Sequence, residues 1–108
     1  MTIALPPPIA AYYDAKNRHD IDGMLEPFAD DALVHDEGHD HRGRASIRAW
    51  MEATTRKYRV TSTPEESSAD GAELVVRALV SGNFPGSPAR LTYRFVVADG
   101  RIARLRIG

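Results

Sequence analysis

Residues 32–43 hold the densest chemistry in the chain. The run Ala32-Leu33-Val34-His35-Asp36-Glu37-Gly38-His39-Asp40-His41-Arg42-Gly43 contains three of the four histidines of the sequence. Ionisable groups at His35, Asp36, Glu37 and His39 are separated by nothing longer than one glycine. Groups of these types move protons. A carboxylate held in an apolar cavity is penalised for carrying charge, which makes it a usable base near neutral pH. Imidazole titrates there unaided. Asp36 is the leading candidate base. His35 is its neighbour, and in a regular strand the two point to opposite faces, so only one can line a pocket. His39 and His41 fall on an expected loop that could reach over a pocket mouth. The set His35, Asp36, His39 and His41 also has the ligand types of a zinc or other divalent site. Its spacing matches no zinc pattern, and no metal is expected.

Elements on both sides must position that cluster. Leu5-Pro6-Pro7-Pro8 suits a helix start, because proline lacks the N–H that would be unpaired there anyway. From Ile9 a helix is expected, with Ile9, Tyr12, Tyr13 and Lys16 on one side. Asn17-Arg18-His19-Asp20 breaks it. Asp20 can cap a second, short helix, whose apolar stripe is Ile21, Met24, Leu25 and Phe28. Ala29-Asp30-Asp31 reads as a turn and Ala32 to Asp36 as a short strand. Arg42-Gly43-Arg44 leads into the longest helix, with Ile47, Trp50, Met51 and Thr54 on its apolar side. The period then changes. Tyr58 to Thr63 alternates until Pro64, which ends the strand or marks an edge. Residues 67–71 read as a turn-rich connection, Glu73 to Ser81 as a central strand and Asn83 to Pro88 as a loop. Leu91, Tyr93, Phe95 and Val97 alternate, Asp99-Gly100 is a hairpin signal, and Arg101 to Ile107 is the last strand. Helices first and strands after predict an α+β domain, helices against one face of a curved, mostly antiparallel sheet of about four to six strands.

Composition narrows the function. With 108 residues the chain has room for a single domain, 1–108, with one core. A net charge of −1 argues against nucleic acid as a partner. The absence of cysteine removes thiolate nucleophiles and disulfides. No apolar run is long enough for a membrane span, and no basic-then-apolar segment resembles a signal peptide, so a cytoplasmic protein is expected. Small size makes a homodimer through the sheet face attractive.

The pattern resembles the SnoaL-like members of the nuclear transport factor 2 (NTF2-like) superfamily, which share a cone-shaped α+β fold with ketosteroid isomerase. The resemblance runs from about Ile9 to the C-terminus. It rests on Tyr12 to Asn17, His19-Asp20-Ile21-Asp22-Gly23, Phe28-Ala29-Asp30-Asp31-Ala32, Val34-His35-Asp36, Arg42-Gly43-Arg44-Ala45-Ser46-Ile47 and the hairpin at Asp99-Gly100. It implies three N-terminal helices roofing the sheet. It places Tyr12 where ketosteroid isomerase has its oxyanion-hole tyrosine and Asp36 where it has its aspartate base. The enzyme's third group, a protonated carboxylic acid, falls near Thr92 or Tyr93, and neither is an acid. What the resemblance implies is therefore a proton-transfer site of related design rather than steroid isomerisation.

The expected function is a cofactor-independent acid/base enzyme, an isomerase, cyclase or hydrolase, acting on a small apolar compound that bears a carbonyl or epoxide. Asp36 would be the base, Tyr12 would polarise an oxygen, and His35 or His39 would assist. Phe28, Trp50, Tyr58, Phe84 and Tyr93 are the candidate pocket wall. Alternatives are a binding module using the same pocket without chemistry, and a dimerising partner domain. The strand arginines Arg77, Arg94, Arg104 and Arg106 read as a solvated or subunit-facing side of the sheet.

Overall fold

The computed structural model describes residues 3–108. Helix α1 spans Pro7–Asn17, α2 spans Ile21–Leu25 and α3 spans Arg44–Tyr58. The strands are β1 (Phe28–Asp36), β2 (His39–Arg42), β3 (Thr61–Asp70), β4 (Glu73–Ser81), β5 (Ala89–Ala98) and β6 (Arg101–Ile107). They form one six-stranded sheet in the order β2-β1-β6-β5-β4-β3. β1 and β6 run parallel, and every other neighbouring pair is antiparallel. The helices pack on one face of this curved sheet, which is the expected α+β architecture.

Local chemistry explains the helix starts. Pro6 precedes α1, and prolines fill its first positions. The Asp20 side chain accepts a hydrogen bond from the Gly23 N–H at 3.1 Å, capping α2. The core lies between helices and sheet. Tyr12, Phe28 and Phe95 are wholly buried there, and the ring of Tyr12 meets those of Phe28 and Phe95 edge-on at 5.7 and 5.9 Å. Ile47, Trp50 and Met51 supply the buried side of α3, as their spacing predicts.

Four boundaries differ from the expectations. Tyr58, expected to open an alternating strand, is the last residue of α3, and β3 begins at Thr61. Phe28 opens β1 instead of closing the stripe of α2, and residues 29–31 are strand rather than turn. The Pro27 carbonyl accepts from the Ile102 N–H at 2.8 Å, which recruits this stretch to the parallel β1–β6 pair. The expected loop at residues 39–42 is strand β2, because Glu37 and Gly38 (φ 52° and 76°) form a tight two-residue hairpin. β3 runs through Pro64 to Asp70, with a bulge between Pro64 and Glu66, on the edge of the sheet where a missing N–H costs nothing.

The face of the sheet away from the helices carries charge. Glu73 binds Arg94 at 3.3 Å and Arg106 at 2.9 Å, and these guanidinium groups hold the Glu73 carboxyl below its ordinary range, Arg106 most. Val97, 37% exposed, is the one large apolar side chain standing out to solvent among the described residues. No described helix is long and apolar enough to cross a membrane.

Candidate functional site

The β1–β2 hairpin sorts the cluster into two faces. Opposed residues share a face, and the register pairs Asp36 with His39, Val34 with His41, and His35 with Asp40. Val34 is fully buried, so its face looks toward the helices. Asp36 continues that face at the end of the strand. His35 points the other way, where its Nδ1 pairs with Asp40 Oδ1 at 2.6 Å with both side chains largely in solvent. Asp36, not His35, is the inward residue of the pair.

Asp36 stands at the wall between two hollows. The inner one is a cavity of about 380 Å³ under α3. Its lining is mostly apolar and includes Val60, Val80, Phe84, Leu91, Tyr93 and Ile107, together with Lys16, Asp36, Glu37, Trp50, Thr54 and Tyr58. The outer one is a groove of about 440 Å³ between β2 and α3, where His39 and His41 lie. Trp50 separates them. Its indole Nε1 donates to Asp36 Oδ2 at 3.0 Å, and its ring stacks against His41 with centroids 5.9 Å apart. At the mouth of the cavity the Tyr58 hydroxyl donates to Glu37 Oε1 at 3.0 Å, and the Tyr58 ring meets Phe84 edge-on at 6.2 Å.

Of the pocket candidates, Trp50, Tyr58, Phe84 and Tyr93 line the inner cavity together with Asp36. Phe28 does not. It is packed in the core against Tyr12 because β1 begins there and turns its side chain under the helices. Tyr12 is likewise off the cavity wall and fully buried, and its hydroxyl has no hydrogen-bond partner among the described residues. Burial drives its pKa upward, and the nearby Tyr93 and Asp36 add to the rise. Tyr93, whose hydroxyl lies 3.3 Å from Ser62 Oγ, is pushed up to about 12, mainly by burial. His39 is exposed on the outer groove. Among the described residues no three His, Asp or Glu side chains converge as metal ligands.

The inner wall also holds a group that residue spacing marked without assigning a role. Lys16 occupies the last position of the stripe Ile9, Tyr12, Tyr13, Lys16 on α1, which is the buried side of that helix. It is 9% exposed and lines the cavity. Its Nζ lies 5.6 Å from the centre of the Tyr12 ring. Burial lowers its pKa to about 8, against a smaller upward pull from the Asp36 carboxylate. A lysine at a core-facing helical position was the signal in the sequence.

Helices roofing a curved sheet, with a hollow between them, define the NTF2-like class of α+β domains. Comparison with known proteins agrees. A model of the SnoaL-like domain matches residues 9–105. No curated protein sequence matches the chain. Among solved structures, a provisionally assigned polyketide cyclase from Sinorhizobium meliloti is 47% identical, covering 96% of this chain and 95% of its own, with a TM-score of 0.91. A protein of ketosteroid isomerase-like fold from Catenulispora acidiphila, in complex with trimethylamine, is 19% identical over 97% of this chain and 86% of its own, with a TM-score of 0.83. An NTF2-like protein from Cytophaga hutchinsonii is 12% identical over 100% of this chain and 91% of its own, with a TM-score of 0.79. The last two share the fold alone. The chain belongs to the SnoaL-like domain family.

Proposed function

We propose that this protein is a cofactor-independent acid/base enzyme of the isomerase, cyclase or hydrolase kind, acting on a small, largely apolar carbonyl- or epoxide-bearing compound in the inner cavity. The observation that carries the reading is Asp36, a carboxylate fixed by the Trp50 indole at 3.0 Å on the wall of a hollow otherwise lined mainly by apolar side chains. Such a carboxylate can take a proton from carbon next to a carbonyl, or from a water that attacks an epoxide. The negative oxygen that results needs a donor. The Tyr93 hydroxyl lies on the same wall and serves better than Tyr12, which is off it. The histidines of the outer groove are left out of the chemistry. The 47%-identical relative described as a polyketide cyclase supports carbonyl chemistry of this kind.

The test is hydrogen exchange of an enolisable ketone, 2-tetralone, in deuterium oxide followed by proton NMR. The wild-type protein should accelerate loss of the activated C–H signal, and Asp36→Asn should lower that acceleration by about a hundredfold or more. Equal rates in the two proteins remove Asp36 from the mechanism. Saturable binding of the ketone with no exchange in wild type points instead to a ligand-binding module with the same cavity.

A further inference from the structure

Lys16 is the one buried cationic side chain among the described residues, and the acid/base reading does not use it. It is one of two lysines in the chain; the other is Lys57. The two sit in opposite surroundings. Lys57 is exposed on the last turn of α3, with its Nζ 5.0 Å from the centre of the Tyr58 ring, and its pKa is raised, chiefly by the neighbouring Tyr58 side chain. Lys16 makes no ion pair among the described residues, although it shares a cavity with Asp36. Its ammonium is thus not locked to a carboxylate. An apolar wall disfavours the charged form, and an unpaired amine in such a wall has a share of the neutral, nucleophilic form near neutral pH.

The geometry points to Lys16 as a nucleophilic amine that condenses with the carbonyl carbon of a small aldehyde or ketone held in the inner cavity, forming an imine and releasing water. The inference rests on the reading of this cavity as a site for small carbonyl compounds and extends it to a covalent step. The neutral Nζ adds to the carbonyl carbon, a C–N bond forms, and the carbonyl π pair moves onto oxygen. Asp36, one of the two carboxylates on this wall, takes one Nζ proton and passes it to that oxygen, which becomes the hydroxyl of a carbinolamine. Asp36 then relays the second Nζ proton to the hydroxyl as the nitrogen pair forms the C=N bond and the C–O bond breaks. Water leaves carrying both former Nζ protons, and the neutral imine remains. No electrons are transferred, and no further reactant is needed. The pKa of about 8 for Lys16 agrees with this role, since an appreciable fraction of the amine is unprotonated at neutral pH.

The experiment is reductive trapping with benzaldehyde and cyanoborohydride at pH 7, read by intact mass and peptide mapping. Benzaldehyde has no enolisable hydrogen, so the outcome does not depend on proton abstraction from carbon. One benzyl group should appear on Lys16, about tenfold or more faster than on Lys57, because far more of Lys16 is neutral at that pH. The Lys16→Arg and Lys16→Met proteins should lose the fast adduct, and Asp36→Asn should form it more slowly. The selectivity between two lysines of the wild-type chain needs no variant to fold. Fluorescence of Trp50, the one tryptophan of the chain, reports cavity occupancy in parallel. Saturable quenching by benzaldehyde without a Lys16 adduct overturns the amine role and leaves the cavity reading standing. Absence of both quenching and adduct overturns the two together. Labelling of Lys57 as fast as Lys16 also overturns it.

Discussion

The indole nitrogen of Trp50 donates to a carboxylate oxygen of Asp36 at 3.0 Å, so the middle of α3 is fastened to the C-terminal end of β1. That bond gives Asp36 one orientation at the wall of the inner cavity, and it satisfies a buried N–H that would otherwise have no acceptor. Replacing Trp50 by Phe removes the donor and keeps most of the apolar surface. The Trp50→Phe protein should lose about 1–2 kcal/mol of stability in urea titrations. Its exchange of 2-tetralone should fall by about tenfold, because a carboxylate free to rotate spends less time in the reactive geometry. Asp36→Asn keeps an oxygen acceptor for the indole. It should unfold within about 1 kcal/mol of wild type while losing exchange. Stability loss in Asp36→Asn as large as in Trp50→Phe would mean that the two side chains are coupled by something other than this hydrogen bond.

Lys16 makes stability depend on pH in a direction opposite to a surface lysine. Its pKa is about 8 in the folded protein against an ordinary 10.5. Between those values the unfolded chain binds more protons than the folded one, so this group's contribution to stability rises with pH. Below the lower value the full cost of burying the ammonium is present, about 3 kcal/mol from a shift of that size. Lys16→Met should therefore be more stable than wild type at neutral pH by up to about 3 kcal/mol, and its advantage should shrink steadily as pH is raised toward 10. Tyr12, Tyr13 and Tyr93, all raised chiefly by burial, act the other way at high pH, since they stay protonated in the fold while free tyrosine ionises. Comparing the two proteins at each pH cancels that common contribution. Paired urea titrations from neutral pH to pH 10 give the measurement. A constant difference between them would show that Lys16 keeps an ordinary pKa.

Tyr12 separates packing from polarity. Its ring is central to the core, yet its hydroxyl is buried without a partner among the described residues. Removing an unsatisfied hydroxyl relieves a desolvation cost, so Tyr12→Phe should leave stability unchanged or raise it by up to about 1 kcal/mol. Tyr12→Ala should cost about 3–5 kcal/mol, because a large ring would leave a cavity. Thermal unfolding checks both. A tenfold or greater loss of ketone exchange in a fully stable Tyr12→Phe protein would return Tyr12 to the chemistry, through a shift that brings its hydroxyl to the wall.

The helices were legible because each has an apolar side with a 3.6-residue period and a start signal, as in the Asp20 cap and the Ile47, Trp50, Met51 side of α3. Asp36 was legible as the inward residue only in combination with Val34, since alternation fixes relative faces and not which face is buried. β2 is silent in the sequence because His39-Asp40-His41-Arg42 has no apolar member to alternate, and its strand state comes from pairing with β1. The rear half of β3 is silent for the same reason. Glu65 to Asp70 are all exposed, and residues 66–70 are held by their register with β4. Sequence period records burial, and a strand that buries nothing leaves no record. The missing hairpin also hid the arrangement of the cluster. Once β2 is a strand, His39 and His41 belong on the helix-facing side, yet they open on the outer groove and not on the inner cavity.

A pair of hydrogen bonds from Asn17 ties the edge strand β3 to the end of α1, and the last prediction concerns it. The Asn17 side chain reads the backbone of Ser62 twice. Its Nδ2 donates to the Ser62 carbonyl at 2.8 Å, and its Oδ1 accepts from the Ser62 N–H at 2.7 Å. In this way the amide at the end of α1 stands in for a neighbouring strand and satisfies an edge that would otherwise be open. Ser62 is fully buried, and its hydroxyl meets that of Tyr93 on the cavity wall. Asn17→Ala leaves both backbone groups part-buried without partners and should cost about 2–3 kcal/mol. Asn17→Asp keeps the acceptor and loses the donor, so it should cost less than Ala. Urea midpoints order the three proteins. Amide exchange at Ser62 should speed up in Asn17→Ala more than exchange in β5, because the edge can open locally while the centre of the sheet stays paired. If β3 and β5 instead exchange together, this edge opens only with the whole fold, and the cavity wall at Tyr93 is as rigid as the core behind it.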